Sequence, residues 1–395
     1  MSAATKPGFD TSPHAAVSGS ASRPTPGARA SVYINGRFLT QRVTGVQRYA
    51  REVLLALDEL LHEHREQVPF ELEVLAPEGT EFPQLRAIQT RPIGPFAGNL
   101  WEQVTLPRFV GRAPLFSFSA TGPVFKTRQM VTVHDANIFA VPQAFSWRFR
   151  TWYKVLLNVL LRRAFGAVTV SEFSRGEITR YFRCDPKKLN VASAGWQHVV
   201  RSAADTGILA RHALVPHRYV LAVSSPTPNK NFALVVKALE HLREGSFDVV
   251  VAGKTDRDVL RGAWPQSDRV KYVGYISDEE LRALYENAGV FVFPSLYEGF
   301  GIPVIEAMAC GCPVIASNTA SLPEVCGDAA LYVSPHDAPG LAQAIERVMS
   351  DEVERQRLVR LGRQRAERFS WTAAAQKNLG FLKAMVEVTS EESHA

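Results

Sequence analysis

Short apolar runs alternate with longer amphipathic stretches from residue 31 onward. In the first half, the runs SVYING, FELEVLAP, MVTVHD and AVTVS are separated by helical patterns, including Gly45 to His64 and Trp147 to Phe165. Strands that alternate with helices predict a parallel sheet covered by helices on both faces. We therefore expect an α/β domain over residues 31–200.

The same alternation starts again in the second half. Residues 201–217 are polar, contain no clear strand and have Pro216 near their end, so we interpret them as a linker. Six apolar runs follow with helices between them, which predicts a second α/β domain over residues 218–370. The segment 371–395 begins with a helical pattern that we expect to pack back across both domains. Residues 1–30, rich in small residues and Pro, are expected to be a disordered tail.

The composition limits the classes of binding partner and the cellular compartment that we expect. The 395 residues suit two domains, and a net charge of +6 with a pI near 9.2 suits anionic partners such as nucleic acid, phospholipid or a diphosphate-bearing substrate. The four cysteines form no CxxC pair, and no apolar run approaches the roughly 20 residues that span a bilayer. We expect a cytoplasmic protein with reduced thiols, whose membrane contact is peripheral.

The most informative segment extends from Pro294 to Glu306. An apolar strand ends there, two glycines allow a tight turn, and Pro303 suits the first turn of a helix. Free amides at a helix start bind anions, and carboxylates such as Glu298 and Glu306 accept hydrogen bonds from sugar hydroxyls. In isolation the same loop could serve only packing, with Glu306 favoured by the helix dipole.

The spacing of Glu298 and Glu306, within SLYEGFGIPVIEAMACGCPVIAS, resembles the signature of the retaining glycosyltransferases of family 4. The segments TGVQRYARE, WEQVTLP, VTVHD, TVSEFSR, PNKN, VKYVGYISDEEL and SLPEVCGDAALYVSPHD follow the order of that family over about residues 31 to 375. The resemblance implies the α/β GT-B fold, in which two Rossmann-like, doubly wound domains face each other across a cleft. It also implies a nucleotide-sugar donor.

The resemblance assigns roles to individual residues. Glu306 is expected to bind the ribose hydroxyls, and Glu298 to lie beside the donor sugar. Lys230 is expected to face the donor phosphates; many members carry an arginine shortly before this lysine, whereas residues 225–227 of this chain are Ser-Pro-Thr. His134 matches a histidine that approaches the transferred sugar, although a histidine at a strand end is often structural. Glu298, Lys230 and His134 form the expected catalytic set.

Further donor contacts are expected from small and polar residues around the cleft. Gly45 matches a glycine loop that lets acceptor and diphosphate approach; it could equally be a helix start capped by Thr44. Ser171 is a further candidate near the acceptor, or a helix cap. The remaining donor-binding candidates are the loop residues Gly299, Phe300, Gly301 and Ile302, with Lys254 and Tyr275 at the sheet edge near the base.

The helical pattern from Trp147 to Arg163 combines aromatic residues, leucines and basic residues. Such a helix, with Trp147, Arg148 and Arg150 near its start, could rest on the anionic inner leaflet beside a lipid-linked acceptor. A helix that faces the core and carries a solvated basic side is the alternative. Nucleic-acid binding is disfavoured because the basic residues are dispersed and no reading module is present.

No metal or other cofactor is expected. Asp256-Arg257-Asp258 has a metal-binding spacing but is more simply a polar loop, and the GT-B resemblance implies a lysine and a helix dipole instead. The chain resembles bacterial mannosyltransferases that use GDP-mannose in exopolysaccharide, acetan or xanthan type, or O-antigen assembly on polyprenyl diphosphate.

Three alternatives stay open. The same fold could use a UDP-sugar, as a glucosyl or N-acetylhexosaminyl transferase. An NAD-dependent oxidoreductase would share the strand pattern, but its Gly-x-Gly-x-x-Gly turn is absent after the first strand, where the sequence reads INGRFLTQ. A non-catalytic sugar-binding protein would keep the fold without needing Glu298, Glu306, Lys230 and His134 together.

Overall fold

The computed structural model describes residues 29–223, 227–242, 247–253 and 269–391. These residues form two parallel sheets. The first sheet has the order β3-β2-β1-β4-β5-β6-β7. Its strands are β1 Ala30–Asn35, β2 Phe70–Ala76, β3 Gln89–Pro92, β4 Leu115–Ser117, β5 Gln129–Thr132, β6 Gly166–Thr169 and β7 Leu189–Val191.

The second sheet has the order β10-β9-β8-β11-β12-β13. Its strands are β8 Tyr219–Val223, β9 Asp248–Ala252, β10 Val270–Gly274, β11 Val290–Phe293, β12 Val314–Ser317 and β13 Ala330–Val333. In both sheets the strand order reverses beside the first strand, β1 or β8. Ligands of open α/β sheets bind outside the carboxyl ends of the strands at such switch points.

Helices of eight or more residues within the described ranges are α1 Gly45–His64, α2 Trp147–Arg163, α3 Glu172–Phe182, α4 Phe232–Leu239, α5 Asp278–Asn287, α6 Ile302–Ala309, α7 Ala338–Ser350, α8 Glu352–Ala366 and α9 Trp371–Glu391. Shorter helical segments include Gly98–Leu100, Trp101–Thr105, Leu106–Val110, Asn137–Ala140, Gly207–Arg211 and Leu322–Cys326. Side-chain caps fix several starts; Ser277 and Glu280 form a reciprocal capping box at α5.

The predicted two-domain α/β architecture is confirmed. All six strands expected in the second domain are present. Four of them, β8, β9, β11 and β12, are runs of four or five largely buried and mostly apolar residues, whereas β10 is partly buried and β13 is buried only at its two ends. In the first domain three short strands, β3, β4 and β7, were not predicted. The expected linker contains one short helix, Gly207–Arg211. Of the expected tail, residues 1–28 lie outside the described residues.

The final helix, α9, packs against α1 of the first domain. Trp371, Leu382 and Met385 are buried in the same core cluster as Tyr49 and Val53. Asn378 Nδ2 donates a hydrogen bond to Tyr49 Oη at 3.2 Å. The chain therefore crosses between the domains twice, and α9 completes the first domain's core instead of being shared equally by the two domains.

All four cysteines are free thiols, and three of them are buried. None of the described helices combines the length and hydrophobicity that a bilayer-spanning segment requires.

Candidate active site

The loop between β11 and α6 forms the floor of the cleft. Gly301 adopts φ +99°, a conformation that favours glycine, and α6 begins at the next residue. Among the described residues, the amides of Gly301 and Ile302 donate to no protein atom, and Pro303 has no amide hydrogen. These two amides and the helix dipole can bind a phosphate group.

Lys230 and Glu298 meet beside this helix start. Lys230 lies in a turn after β8, and its Nζ donates to Glu298 Oε1 at 2.8 Å. The same Nζ lies 5.1 Å from the ring centroid of Phe293, the last residue of β11. Both charged side chains are mostly buried, so their interaction is screened less than that of a surface pair.

Glu306 is buried one turn into α6, with two donors on its carboxylate. His198 Nε2 lies 2.8 Å from Oε1, and the Tyr285 hydroxyl donates to Oε2 at 3.1 Å. Glu306 lines a cavity of about 200 Å³ together with Gly45, Tyr275 and Ile302. Three predicted donor-binding residues, from both domains, thus lie around the carboxylate expected to bind ribose.

Two contacts join the domains at this cavity. Arg48 Nη2 donates to Asp278 Oδ1 at 2.6 Å, and the Arg42 guanidinium lies 4.5 Å above the ring centroid of Tyr275. Tyr275 is otherwise exposed, at 63% of its surface. A Cβ added at Gly45 would meet no atom within 4 Å, so this residue leaves space at the first domain's side of the cavity.

Gly299 lies at a close contact between the two domains. A Cβ on Gly299 would lie 2.8 Å from the His134 carbonyl oxygen and 2.9 Å from Asp135 Cβ. The Gly299 carbonyl accepts hydrogen bonds from Ser171 Oγ at 2.6 Å and Ser174 Oγ at 3.0 Å. Only a residue without a side chain fits here, and the serines lock the loop in place.

These contacts change the interpretation of two predicted residues. Ser171 is fully buried, caps α3 and donates to Gly299, so its hydroxyl is not directed to an acceptor in this structure. Phe300 is also buried, and its ring packs edge-on against Phe369 at 5.3 Å. At Phe300 only the backbone is therefore left for a donor.

His134 and Asp135 follow β5 on the opposite wall. His134 Nε2 lies 3.2 Å from the Phe118 carbonyl, which can only accept, and the ring packs edge-on against Tyr49 at 5.1 Å. Burial lowers the pKa of His134 to about 4, partly opposed by the Phe118 hydrogen bond. The imidazole is therefore neutral at pH 7 and donates through Nε2.

Asp135 is a site residue that we did not predict. Burial raises its pKa to about 6; the Asn137 amide opposes this rise, the charge of Glu298 adds to it, and Lys230 again lowers it. The cleft thus contains two carboxyl groups beside one lysine. Perturbed carboxyls of this kind are typical of functional sites. Asp135 could have been predicted from its position directly after His134 in the motif VTVHD.

A second cavity of about 580 Å³ lies on the first domain and shares Thr44 with the smaller one. Its lining combines arginines, hydroxyls and aromatic rings: Arg37, Ser119, Thr121, Arg148, Phe149, Trp152 and Tyr153. Arg37 Nη1 donates to the buried Glu102 at 2.8 Å. Such a lining is suited to a polar molecule with stackable sugar rings.

Of the predicted acceptor or membrane residues, Arg148 lines this larger cavity, Trp147 is 69% exposed, and Arg150 is partly buried. Lys254 and Asp256–Asp258 lie outside the described residues. Within the described ranges, no group of three or more His, Cys, Asp or Glu side chains is arranged to hold a metal ion.

Residues 211–365 match the family model described as "Glycosyl transferases group 1". The chain is 32% identical to O-antigen chain mannosyltransferase B of Escherichia coli over 272 residues, which are 65% of this chain and 71% of that protein. It is 34% identical to the MMP alpha-(1->4)-mannosyltransferase of Mycolicibacterium hassiacum over 260 residues, 62% of this chain and 61% of that protein.

Among solved structures, the fold is similar to sucrose-phosphate synthase from Thermosynechococcus elongatus, with a TM-score of 0.70 and 22% identity over 91% of this chain and all of that one. This likeness identifies the two-domain GT-B fold. The match to the family model and the 32% identity to the O-antigen chain mannosyltransferase show that the chain belongs to the group 1 glycosyl transferase family and is a glycosyltransferase.

Proposed function

We propose that this enzyme transfers mannose from GDP-mannose to a lipid-diphosphate-linked glycan during exopolysaccharide or lipopolysaccharide synthesis, with retention of anomeric configuration. The observation that carries the proposal is the grouping of Lys230, Glu298 and Glu306 around the α6 start, opposite a cavity of the first domain. The relatives named above are mannosyltransferases, which favours mannose as the transferred sugar.

The donor is proposed to lie along the α6 start. Its diphosphate binds the amides of Gly301 and Ile302, which donate to no protein atom among the described residues, and the ammonium of Lys230, which contacts Glu298 in the same loop. The ribose hydroxyls donate to Glu306 in the smaller cavity, and the base lies towards Tyr275. Lys254 is proposed, on sequence grounds alone, to contribute to base recognition.

The sugar is proposed to lie between Glu298 and the His134–Asp135 wall. Glu298 accepts hydrogen bonds from the sugar hydroxyls and so holds the anomeric carbon towards the first domain. The acceptor occupies the larger cavity, where Phe149 and Trp152 provide rings for its sugars and Arg148 provides positive charge for its phosphates.

Transfer is proposed to occur on one face of the sugar. The bond between the anomeric carbon and the phosphate oxygen breaks, and the acceptor oxygen forms the new bond as its proton passes to the departing diphosphate. Lys230 and the helix start stabilise the negative charge that develops on the leaving group, a role that metals fill elsewhere. We therefore propose a metal-independent reaction. A double displacement through Glu298 is the alternative course.

The outer face of α2 is proposed to contact the inner leaflet of the membrane. Apart from the residues that line the larger cavity, Trp147 and Val155 are exposed on this helix, as are Arg162 and Arg163. The helix contains no acidic residue, so nothing on it opposes its attraction to anionic lipid. Membrane contact would bring a lipid-linked acceptor to the adjacent cavity.

The first test is the melting temperature of the purified protein with GDP, UDP, ADP or NAD. A ligand that binds only the folded state raises Tm. We expect GDP alone to raise Tm, and GDP-[¹⁴C]mannose with a lipid diphosphate glycan to give labelled product in excess EDTA. A rise in Tm with UDP instead of GDP would mean that the donor is a UDP-sugar, and a rise with NAD alone would overturn the transferase mechanism. Loss of activity in EDTA that Mg²⁺ restores would overturn metal independence.

A further inference from the structure

The two chain crossings between the domains are joined by consecutive side chains. Trp196 Nε1 donates to the Ala366 carbonyl at 2.8 Å, and Gln197 Nε2 donates to the Phe369 carbonyl at 3.1 Å. Just before them, a Cβ on Gly195 would lie 2.3 Å from the Trp371 amide nitrogen. Residues 195–197, where the chain leaves the first domain, therefore contact residues 366–371, where it returns, at the distance of a direct backbone contact.

His198, the next residue, extends this contact to the site. Trp371 Nε1 donates to His198 Nδ1 at 3.1 Å. Because an indole N–H can only donate, Nδ1 is the unprotonated nitrogen, and the ring proton lies on Nε2. Nε2 then donates to Glu306 Oε1, 2.8 Å away. Trp371 thus determines the histidine tautomer, and the tautomer determines that His198 is a donor to Glu306.

The Glu306 carboxylate is held from two directions. The Tyr285 hydroxyl, on α5 of the second domain, binds Oε2, whereas His198 binds Oε1 from the crossing. His198, Tyr285 and Glu306 are all buried, so water does not compete for these bonds. Two fixed donors orient the carboxylate plane and leave its remaining lone pairs towards the cavity that Glu306 lines.

We propose that His198 is a positioning residue for donor binding, set by Trp371 and acting through Glu306. The inference rests on the proposed function, in which Glu306 binds the ribose hydroxyls. Because Trp371 begins the helix that packs on the first domain, the orientation of the donor carboxylate depends on how the two domains are joined at the crossing. Without the His198 hydrogen bond, part of the binding energy is spent on ordering the Glu306 side chain.

The test compares two tryptophans that make matched hydrogen bonds. Trp371→Phe removes the indole N–H that reaches His198, and Trp196→Phe removes the one that reaches Ala366. Dissociation constants are measured by calorimetry with GDP, or with UDP if that nucleotide raises Tm, at a temperature where both variants are folded. We expect Trp371→Phe to weaken nucleotide binding about tenfold, the scale of one hydrogen bond to a charged group. Trp196→Phe is expected to lower Tm without changing the dissociation constant.

Kinetics and two direct variants separate positioning from general damage. For Trp371→Phe we expect a raised donor KM with kcat nearly unchanged. His198→Gln, whose amide can still donate an N–H to Glu306, is expected to bind the nucleotide more tightly than His198→Leu. If His198→Leu does not fold, the dissociation constants of the two tryptophan variants and of His198→Gln still test the positioning role.

Glu306→Gln distinguishes failure of this inference from failure of the proposed ribose role. Unchanged nucleotide affinity in Glu306→Gln would overturn both. Weakened affinity in Glu306→Gln, together with equal dissociation constants for Trp371→Phe and Trp196→Phe, would overturn the positioning role of His198 alone.

Discussion

Lys230 Nζ donates to Glu298 Oε1 at 2.8 Å, directly beside the start of α6. A diphosphate at that helix start must share Lys230 with this carboxylate and lies close to its negative charge. In the proposed arrangement, Glu298 opposes binding of the leaving nucleotide while it orients the sugar, and the two effects can be measured separately.

Glu298→Gln is expected to tighten GDP binding and to slow transfer. Loss of the carboxylate removes a repulsion from the diphosphate and releases Lys230, so we expect a dissociation constant about tenfold lower. The kcat is expected to fall at least about 100-fold, because the sugar loses its orienting group. Calorimetry and radiometric transfer assays measure the two quantities. Weaker GDP binding in this variant would show instead that Glu298 helps to hold the nucleotide.

Lys230→Met is expected to weaken GDP binding and to lower kcat/KM about 100-fold. In the proposed mechanism the amine supplies positive charge to the leaving group, and the loss of such preorganised charge typically costs two to three orders of magnitude in rate. Lys237→Met on α4 is the matched control, since Lys237 is exposed on a helix outside the cleft. Equal kinetics for the two variants would exclude Lys230 from phosphate stabilisation.

Gly299→Ala is expected to lower both activity and stability. Its Cβ would lie 2.8 Å from a backbone oxygen of the opposite domain, so the loop or the wall that contains His134 must shift. We expect the free energy of unfolding to fall by about 1–3 kcal/mol and transfer to fall more than about tenfold. Gly176→Ala is the control, because a Cβ there, within α3, meets nothing within 4 Å. This substitution should keep activity and add up to about 1 kcal/mol of stability. An unchanged free energy of unfolding in Gly299→Ala would mean that the two domains accommodate the added methyl group without loss of stability.

Asp135→Asn is expected to stabilise the protein at pH 7. The folded pKa, about 6, lies above the ordinary 3.8, so the folded state prefers the protonated acid. The contribution of this preference to the stability of the folded state is complete below about pH 4 and is lost as the pH rises through 6. Asparagine avoids the buried charge and should add about 1–2 kcal/mol at pH 7, allowing for the partial exposure of Asp135. Urea unfolding at pH 7 and pH 4 measures the difference, which should vanish at pH 4; a constant difference would refute the titration.

Flotation with anionic vesicles is expected to depend on α2. Arg162→Gln with Arg163→Gln should reduce the fraction bound to phosphatidylglycerol vesicles several-fold, since each basic residue near the surface contributes about 1 kcal/mol. Lys237→Gln with Arg360→Gln removes the same charge from exposed positions of the second domain. If both pairs reduce flotation equally, net charge and not α2 accounts for the binding.

The sequence predicted the second domain more completely than the first for a physical reason. Strands such as β11, with the sequence VFVF, are buried on both faces and therefore read as continuous apolar runs. β3 has the sequence QTRP, all four residues are exposed, and it lies at the edge of its sheet. Its backbone pairs with β2, but its side chains leave no hydrophobic pattern from which to predict it.

The residues of the candidate site also divide into those that the sequence predicts and those that it does not. Glu298 and Glu306 lie in one continuous motif, so their spacing is visible in the sequence. His198 contacts Glu306 from 108 residues away, and Trp371 contacts His198 from 173 residues away. Neither residue carries a local signal, because the contact exists only once the two domains are joined.

The packing of α9 on α1 also determines when the first domain can finish folding. Tyr49 and Asn378 are 329 residues apart, yet their hydrogen bond is buried in one core. During synthesis, the first domain leaves the ribosome long before α9 is made, with the face of α1 that contains Tyr49 still exposed to solvent. A nascent chain exposes apolar surface of this kind to aggregation and to chaperones until the last helix arrives. The first domain, made first, is therefore completed last.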